Sequence, residues 1–303
     1  MSIKLFDIEK KEFFYEKVPA EVFMRFMYNS IIGRISVWAI FKRAFFSKLG
    51  GLWSHSKFSK KSILPFIKNN NINIDEFLYA PEHFKCFNDF FIRVLKEGAR
   101  SPEGVNSPDM VSFPSDGRHL LIRNVSEATS FYVKGQQFNL VEFFKDKKLA
   151  EVFEGCDMLI SRLAPVDYHR FHFPISGTIV ARKEIKGALY SVSPIALVKR
   201  LSVLWENKRV LNIIENKYFG MCAFVEIGAT NVGSIVNLRN IGETVERGDV
   251  AGYFNFAGSC VITLIPKDKF EWNDTLIEMS SQNIECYTKA GKFAGKGSGV
   301  DNA

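Results

Sequence analysis

Phe254-Asn255-Phe256-Ala257-Gly258-Ser259-Cys260-Val261-Ile262 sets a Gly-Ser pair between a strand-like approach and a β-branched run. β-Branched and aromatic residues favour extended backbone, and glycine tolerates the bulge or turn between them. A β-bulge or turn is one reading of the pair. The other is chemical: a serine hydroxyl can attack the carbonyl before it once a base takes its proton. The same texture extends outward. From about Ser107 onward, short β-branched and aromatic runs are punctuated by Gly, Pro, Asn and Asp, which predicts many short strands, for example at 177–181, 209–214, 223–227 and 260–265. Helical patterning there is limited to 140–144 with its continuation and to 195–201, and the Gly-, Lys- and Ser-rich stretch 290–303 reads as a frayed tail.

Ahead of this region the period changes. Phe23, Met27, Ile31, Ile35, Trp38, Phe41, Phe45 and Leu49 recur at steps of three or four, the spacing of one helix face. Such a face either packs on its own core or lies on a membrane surface, the second helped by Lys57, Lys60, Lys61 and Lys68 nearby. The expected architecture is therefore α+β: a mostly helical segment at 1–105, membrane-associating on the second of those readings, then a β-rich domain at 106–303. The longest uncharged apolar run, 35–41, is about a third of the 18 or more residues needed to span a bilayer.

Hydrophobic residues at 47% and charged residues at 24% exclude wholesale disorder. The net charge of +7 favours a polyanionic neighbour, nucleic acid or an anionic bilayer, without choosing between them. The 29 Phe suit an aromatic core, and equally a protein that dips side chains into lipid. Five scattered cysteines without CxxC spacing indicate neither a disulfide framework nor a zinc site, and point to a reducing compartment. Lys4, Asp7, Glu9, Lys10, Lys11 and Glu12 break any secretory h-region.

Two of the five histidines stand together in Asp167-Tyr168-His169-Arg170-Phe171-His172. His-x-x-His can hold a metal, serve as two structural side chains, or exchange protons near neutral pH. No carboxylate or thiolate cluster follows at metal-ligand spacing. In Pro114-Ser115-Asp116-Gly117 a carboxylate sits in a turn, where it caps the turn or orients an imidazole.

Together these elements resemble the phosphatidylserine decarboxylases, in order along most of the chain. Phe87-Asn88-Asp89-Phe90-Phe91 with Arg93 and Gly98-Ala99-Arg100 looks like the family's opening motif, and Phe113-Pro114-Ser115-Asp116-Gly117 like its Pro-Ala-Asp-Gly element. Tyr132-Val133-Lys134-Gly135 follows, then Arg162-Leu163-Ala164-Pro165-Val166-Asp167-Tyr168-His169-Arg170-Phe171-His172, the most specific stretch. Asn207-Lys208-Arg209, Val225-Glu226-Ile227-Gly228-Ala229-Thr230-Asn231-Val232-Gly233-Ser234-Ile235 and Glu246-Arg247-Gly248-Asp249 complete the pattern. The junction departs from it: the family has Leu-Gly-Ser-Thr or Gly-Gly-Ser-Thr where this chain has Ala257-Gly258-Ser259-Cys260. The departure favours one rival, an uncut relative that only holds lipid; a second rival is a conventional hydrolase that uses the same serine, histidine and aspartate on external substrates.

The resemblance implies that Asp116, His172 and Ser259 form a triad that acts once, on the chain's own Gly258–Ser259 bond. Asp116 would hold the imidazole, His172 would take the proton and Ser259 would attack. The products would be a β chain of 1–258 and an α chain of 259–303, held together without a covalent bond. The α chain would begin with a pyruvoyl group made from Ser259, which forms a Schiff base with the substrate amine and accepts electrons as carbon dioxide leaves. The resemblance gives His169 a part in that decarboxylation, and implies no metal, no nucleic acid and a homodimer. It assigns the net charge to an anionic membrane surface, with the protein peripheral on the cytoplasmic face of the cell membrane.

Overall fold

The computed structural model describes residues 3–16, 44–104, 107–126, 130–131, 133–134, 138–229, 235–256, 259–267 and 270–298. The apolar stripe from Phe23 to Phe41 lies outside these residues, as does Gly258.

A ten-stranded sheet organises the molecule. In spatial order it runs β13 (Thr244–Val245), β9 (Gly177–Ile185), β10 (Arg209–Asn216), β11 (Gly220–Gly228), β15 (Ser259–Ile265), β7 (Asp157–Leu163), β4 (Gly117–Ile122), β17 (Glu285–Thr288), β1 (Ile3–Asp7) and β2 (Glu12–Glu16). Its pairs are antiparallel except β1 with β17. Two three-stranded sheets accompany it: β12 (Ile235–Asn237), β14 (Val250–Phe254) and β8 (Arg170–His172); and β16 (Phe270–Trp272), β18 (Phe293–Gly297) and β3 (Met110–Ser112). A short hairpin joins β5 (Ser130–Phe131) to β6 (Val133–Lys134).

Side chains alternate across each strand, so the large sheet buries two separate cores. On one face, Cys260, Ile262 and Leu264 of β15 and Ala223, Val225 and Ile227 of β11 pack with Phe143, Phe144, Leu197 and Leu204. Those partners come from α4 (Leu140–Phe144), α6 (Pro194–Lys199) and α7 (Val203–Glu206); α5 (Lys147–Val152) adds Ala150. On the other face, Val261 and Ile265 pack with Phe171, Phe254, Ala294 and Trp272 of the small sheets and with Leu276 of α8 (Asp274–Ser281).

A third core lies in the helical part, formed by α1 (Ala44–His55), α2 (Ile63–Asn69) and α3 (Phe87–Phe91) with the loops between them. Phe77, Phe84, Phe87, Phe90 and Phe91 are buried there with Ile63, and Phe256 packs against them. Each such ring contributes about 2 kcal/mol on leaving water, enough to fix the cluster onto the approach to Ser259. Here, at least, the high Phe count is a packed aromatic core.

Two expectations change. The N-terminal span is not helical throughout: residues 3–16 form the hairpin β1–β2 and extend the large sheet. The Asp7 carboxylate organises its turn by accepting from the Glu9 and Lys10 amides, and Lys11 takes φ 56° to close it. The C-terminal stretch is not frayed through 297, because β18 is paired on both sides by β16 and β3. Gly295 makes that possible; a Cβ there would meet the Glu271 carbonyl at 2.4 Å. The expected strands are present and longer, and helices occupy 140–144 and 194–199. Among the described residues no helix is long and apolar enough to cross a membrane.

Candidate active site around Ser259

Ser259 is the first residue of β15, with Gly228 opposite it on β11 and Leu163 on β7. It is fully buried, and its Oγ has no hydrogen-bond partner among the described residues. A hydroxyl in that condition normally finds a partner. Cys260, the next residue, points through the sheet into the opposite core, and burial pushes its thiol up to about 12. It is thus a packing residue with no thiolate to compete with Ser259 near neutral pH.

The approach to Ser259 is tied to the histidine motif. The Phe254 amide donates to the His169 carbonyl at 3.0 Å, and β14 pairs with β8, which carries His172. The His172 amide donates to the Pro114 carbonyl at 2.7 Å, two residues before Asp116. The four residues singled out in the sequence are therefore anchored to neighbouring backbone.

His172 Nδ1 donates to the Gly248 carbonyl at 2.7 Å. A carbonyl only accepts, so the ring proton sits on Nδ1 and Nε2 keeps its lone pair. Among the described residues Nε2 has no hydrogen-bond partner. Burial holds the imidazole below its ordinary pKa, against smaller raising effects from Gly248 and the Asp116 charge. His172 is therefore a neutral base. Because the unfolded chain takes up this proton more readily, its contribution to stability is present above about pH 6.5 and is lost as pH falls through the lower folded value.

Asp116 does not make the expected bond to the imidazole. Its Oδ1 accepts from Arg100 Nε at 2.7 Å and the Ala290 amide at 2.9 Å, and its Oδ2 from Arg100 Nη2 at 2.6 Å. Both carboxylate oxygens are thus occupied by a bidentate guanidinium, and the Gly248 carbonyl orients the ring in its place. Asp116 acts on His172 through its charge alone. Gly117 matters for close approach, since a Cβ there would lie 2.2 Å from the Arg162 carbonyl of β7.

His169 Nδ1 meets the Asp167 carbonyl at 3.0 Å, and its ring lies against Phe91 of α3 with centroids 3.7 Å apart. Beneath the site a buried ionic network links Arg118 to Glu16 and Asp167, and Arg162 to Glu285 and Glu16. Arg100 and Gly248 stood in quoted motifs without a role. Their neighbours in the motif carry no sign of the contact, which forms only when distant segments meet.

The family model described as phosphatidylserine decarboxylase matches residues 87–295, from the start of α3 into β18. The chain belongs to the phosphatidylserine decarboxylase family. It is 39% identical over 293 residues to the phosphatidylserine decarboxylase proenzyme of Clostridium kluyveri, covering 97% of this chain and 98% of that protein. The Clostridium novyi proenzyme gives the same identity over 97% and 99%. That of Fusobacterium nucleatum is 39% identical over 92% and 93%. Alignments over 92 to 97% of this chain reach beyond the stretch 87–295 that the family model matches.

Proposed function

We propose that the chain converts phosphatidylserine to phosphatidylethanolamine and carbon dioxide, after cutting itself between Gly258 and Ser259 to make a pyruvoyl group. The observation that carries this is the buried Ser259 hydroxyl at the head of β15, without a hydrogen-bond partner among the described residues, in a protein whose His172 keeps a neutral Nε2. Ser259 Oγ attacks the Gly258 carbonyl as His172 Nε2 takes its proton. The C–N bond breaks, the amine receives that proton, and an ester remains. Removal of the Ser259 Cα proton expels the Gly258 carboxylate, leaving a dehydroalanine. One water then replaces its nitrogen, which departs as ammonia. When formed, the pyruvoyl group supplies the electron sink that decarboxylation needs. His169 serves the substrate side, with its Nδ1–H on the Asp167 carbonyl and Phe91 covering its ring.

The pieces 1–258 and 259–303 stay paired, because β15 and β17 are hydrogen-bonded on both sides within the large sheet. Intact mass spectrometry of purified protein tests the cut. A 259–303 species with a pyruvoyl end, together with carbon dioxide release from phosphatidylserine vesicles, is expected; an unbroken chain that binds vesicles without releasing carbon dioxide overturns the proposal in favour of an uncut lipid-holding relative.

The state of His172 sets the pH profile of the cut. A pulse-labelled chain chased into buffers of falling pH should cleave at a steady rate through the ordinary imidazole range near 6.5, slowing only below it. A rate that halves near pH 6.5 would remove His172 as the buried base.

Docking to an anionic membrane, on the cytoplasmic face, is the task we assign to the helical part of residues 1–105, β1 and β2 of the same span being built into the catalytic sheet. Leu52, Phe58 and Leu64 expose 57 to 78% of their surface beside exposed Lys57, Lys61 and Lys68. Apolar side chains beside lysines suit the boundary between acyl chains and anionic headgroups. Each large side chain gains on the order of 2 kcal/mol on entering an apolar phase. Leu52→Glu with Phe58→Glu should therefore lower flotation with phosphatidylserine-containing vesicles on the order of a hundredfold or more; unchanged flotation would remove this surface from the docking site.

A further inference from the structure

We propose that Asn88 and Asn255 form a positioning pair that sets the rate of self-cleavage by holding the segment that leads into the Gly258–Ser259 bond. This rests on the cleavage described under Proposed function.

Asn88, in α3, is 4% exposed. Its Nδ2 donates to Asn255 Oδ1 at 2.9 Å, and its Oδ1 accepts from the Phe256 amide at 2.8 Å. One side chain thus grips two consecutive residues shortly before Ser259. The grip is itself anchored, since the Phe87 amide donates to the buried Ser59 Oγ at 2.8 Å. The Phe256 ring packs edge-on against Phe87 and Phe91, with centroids 5.2 and 5.1 Å away. Phe91 in turn lies against His169. The approach to the junction is therefore fixed from one side by α3 and tied by Phe254 to the His169 carbonyl.

An amide suits position 88 because the contact needs one donor and one acceptor on the same planar group. Attack of a serine on its own preceding carbonyl depends on a near-attack geometry, and a displacement of about 1 Å lowers such a rate on the order of a hundredfold. With Asn88→Ala, Asn255 and Phe256 lose both hydrogen bonds while the aromatic packing stays, so the fold is retained and cleavage slows on that order.

Carboxylate swaps test direct contact. Asn88→Asp still accepts from the Phe256 amide, and the Asn255 amide, turned over, donates to it. Asn255→Asp accepts from Asn88 Nδ2. With both changes, two carboxylates face each other and repel. The experiment follows cleavage of the pulse-labelled full chain by gel, with thermal melting to confirm folding. Expected are slow cleavage for Asn88→Ala, rates close to the parent's for each single aspartate, and slow cleavage for the double variant. A purely structural role would not give loss only when both are changed. If the parent cuts while Asn88→Ala keeps pace with it, or while the double variant matches the singles, the pair is overturned and self-cleavage stands. A parent chain that stays whole overturns self-cleavage, and the pair with it.

Discussion

Ser259→Ala is expected to accumulate as one uncut chain of 34.5 kDa and to release no carbon dioxide from phosphatidylserine. The substitution removes the only atom that can carry out the attack at that position. It also removes a hydroxyl without a hydrogen-bond partner among the described residues, so none of those residues is left with a stranded polar group. Its effect on stability should stay within about 1 kcal/mol. Ladder bonds to β11 and β7 are made by backbone and are untouched. Loss of all activity with a native melting temperature is thus the signature of a chemical role. A variant that is still cut between 258 and 259 would show that the break comes from a protease or another nucleophile.

Arg100→Met is expected to destabilise the protein by about 3 to 5 kcal/mol, the usual cost of leaving one partner of a buried ion pair alone. Arg100 and Asp116 side chains are each 6% exposed, and the guanidinium satisfies both carboxylate oxygens. Without it, Asp116 keeps only the Ala290 amide among the described residues, a buried charge left with one neutral donor. Urea midpoints at constant slope measure the loss. Adding Asp116→Asn to Arg100→Met should recover much of it, because an amide tolerates burial better than a lone charge. If the double variant is no more stable than the single, the cost lies in the arginine's other contacts, Glu76 and the Ala99 carbonyl. Cleavage should slow in the double variant as well, since His172 then takes up its proton without the Asp116 charge nearby.

The strands β9, β10, β11 and β15 were legible because each is a compact β-branched run whose ends are marked by turn residues. The β1–β2 hairpin was not. Its charges look like a surface, yet Asp7 serves a turn and Glu16 reaches Arg118 at 2.8 Å in the buried network. β18 was hidden by its glycines, which read as flexibility and act instead as room for neighbouring strands. In the site, the motifs taken singly left Asp116, His169, His172 and Ser259 with ordinary structural readings, and their resemblance to a family in matching order nominated them. Partners were another matter. Arg100 lies 16 residues from Asp116, Gly248 76 from His172, and Asn88 167 from Asn255. No local pattern encodes contacts over such separations. The Asp116–imidazole bond failed for the same reason, since a nearby arginine claims the carboxylate more strongly than a neutral ring can.

The place of β15 between β11 and β7, with β17 further along the same sheet, also makes the proposed cut a matter of history. While the chain is whole, those strands reach their slots by closing loops within one molecule. After the cut, the same insertions would require two separate pieces to find each other and thread into the middle of a finished sheet. The proposed cleavage would therefore act as a ratchet: the cut enzyme would inherit a shape that only its precursor could assemble. Its lifetime would then be governed by how slowly the sheet opens rather than by any balance with an unfolded state.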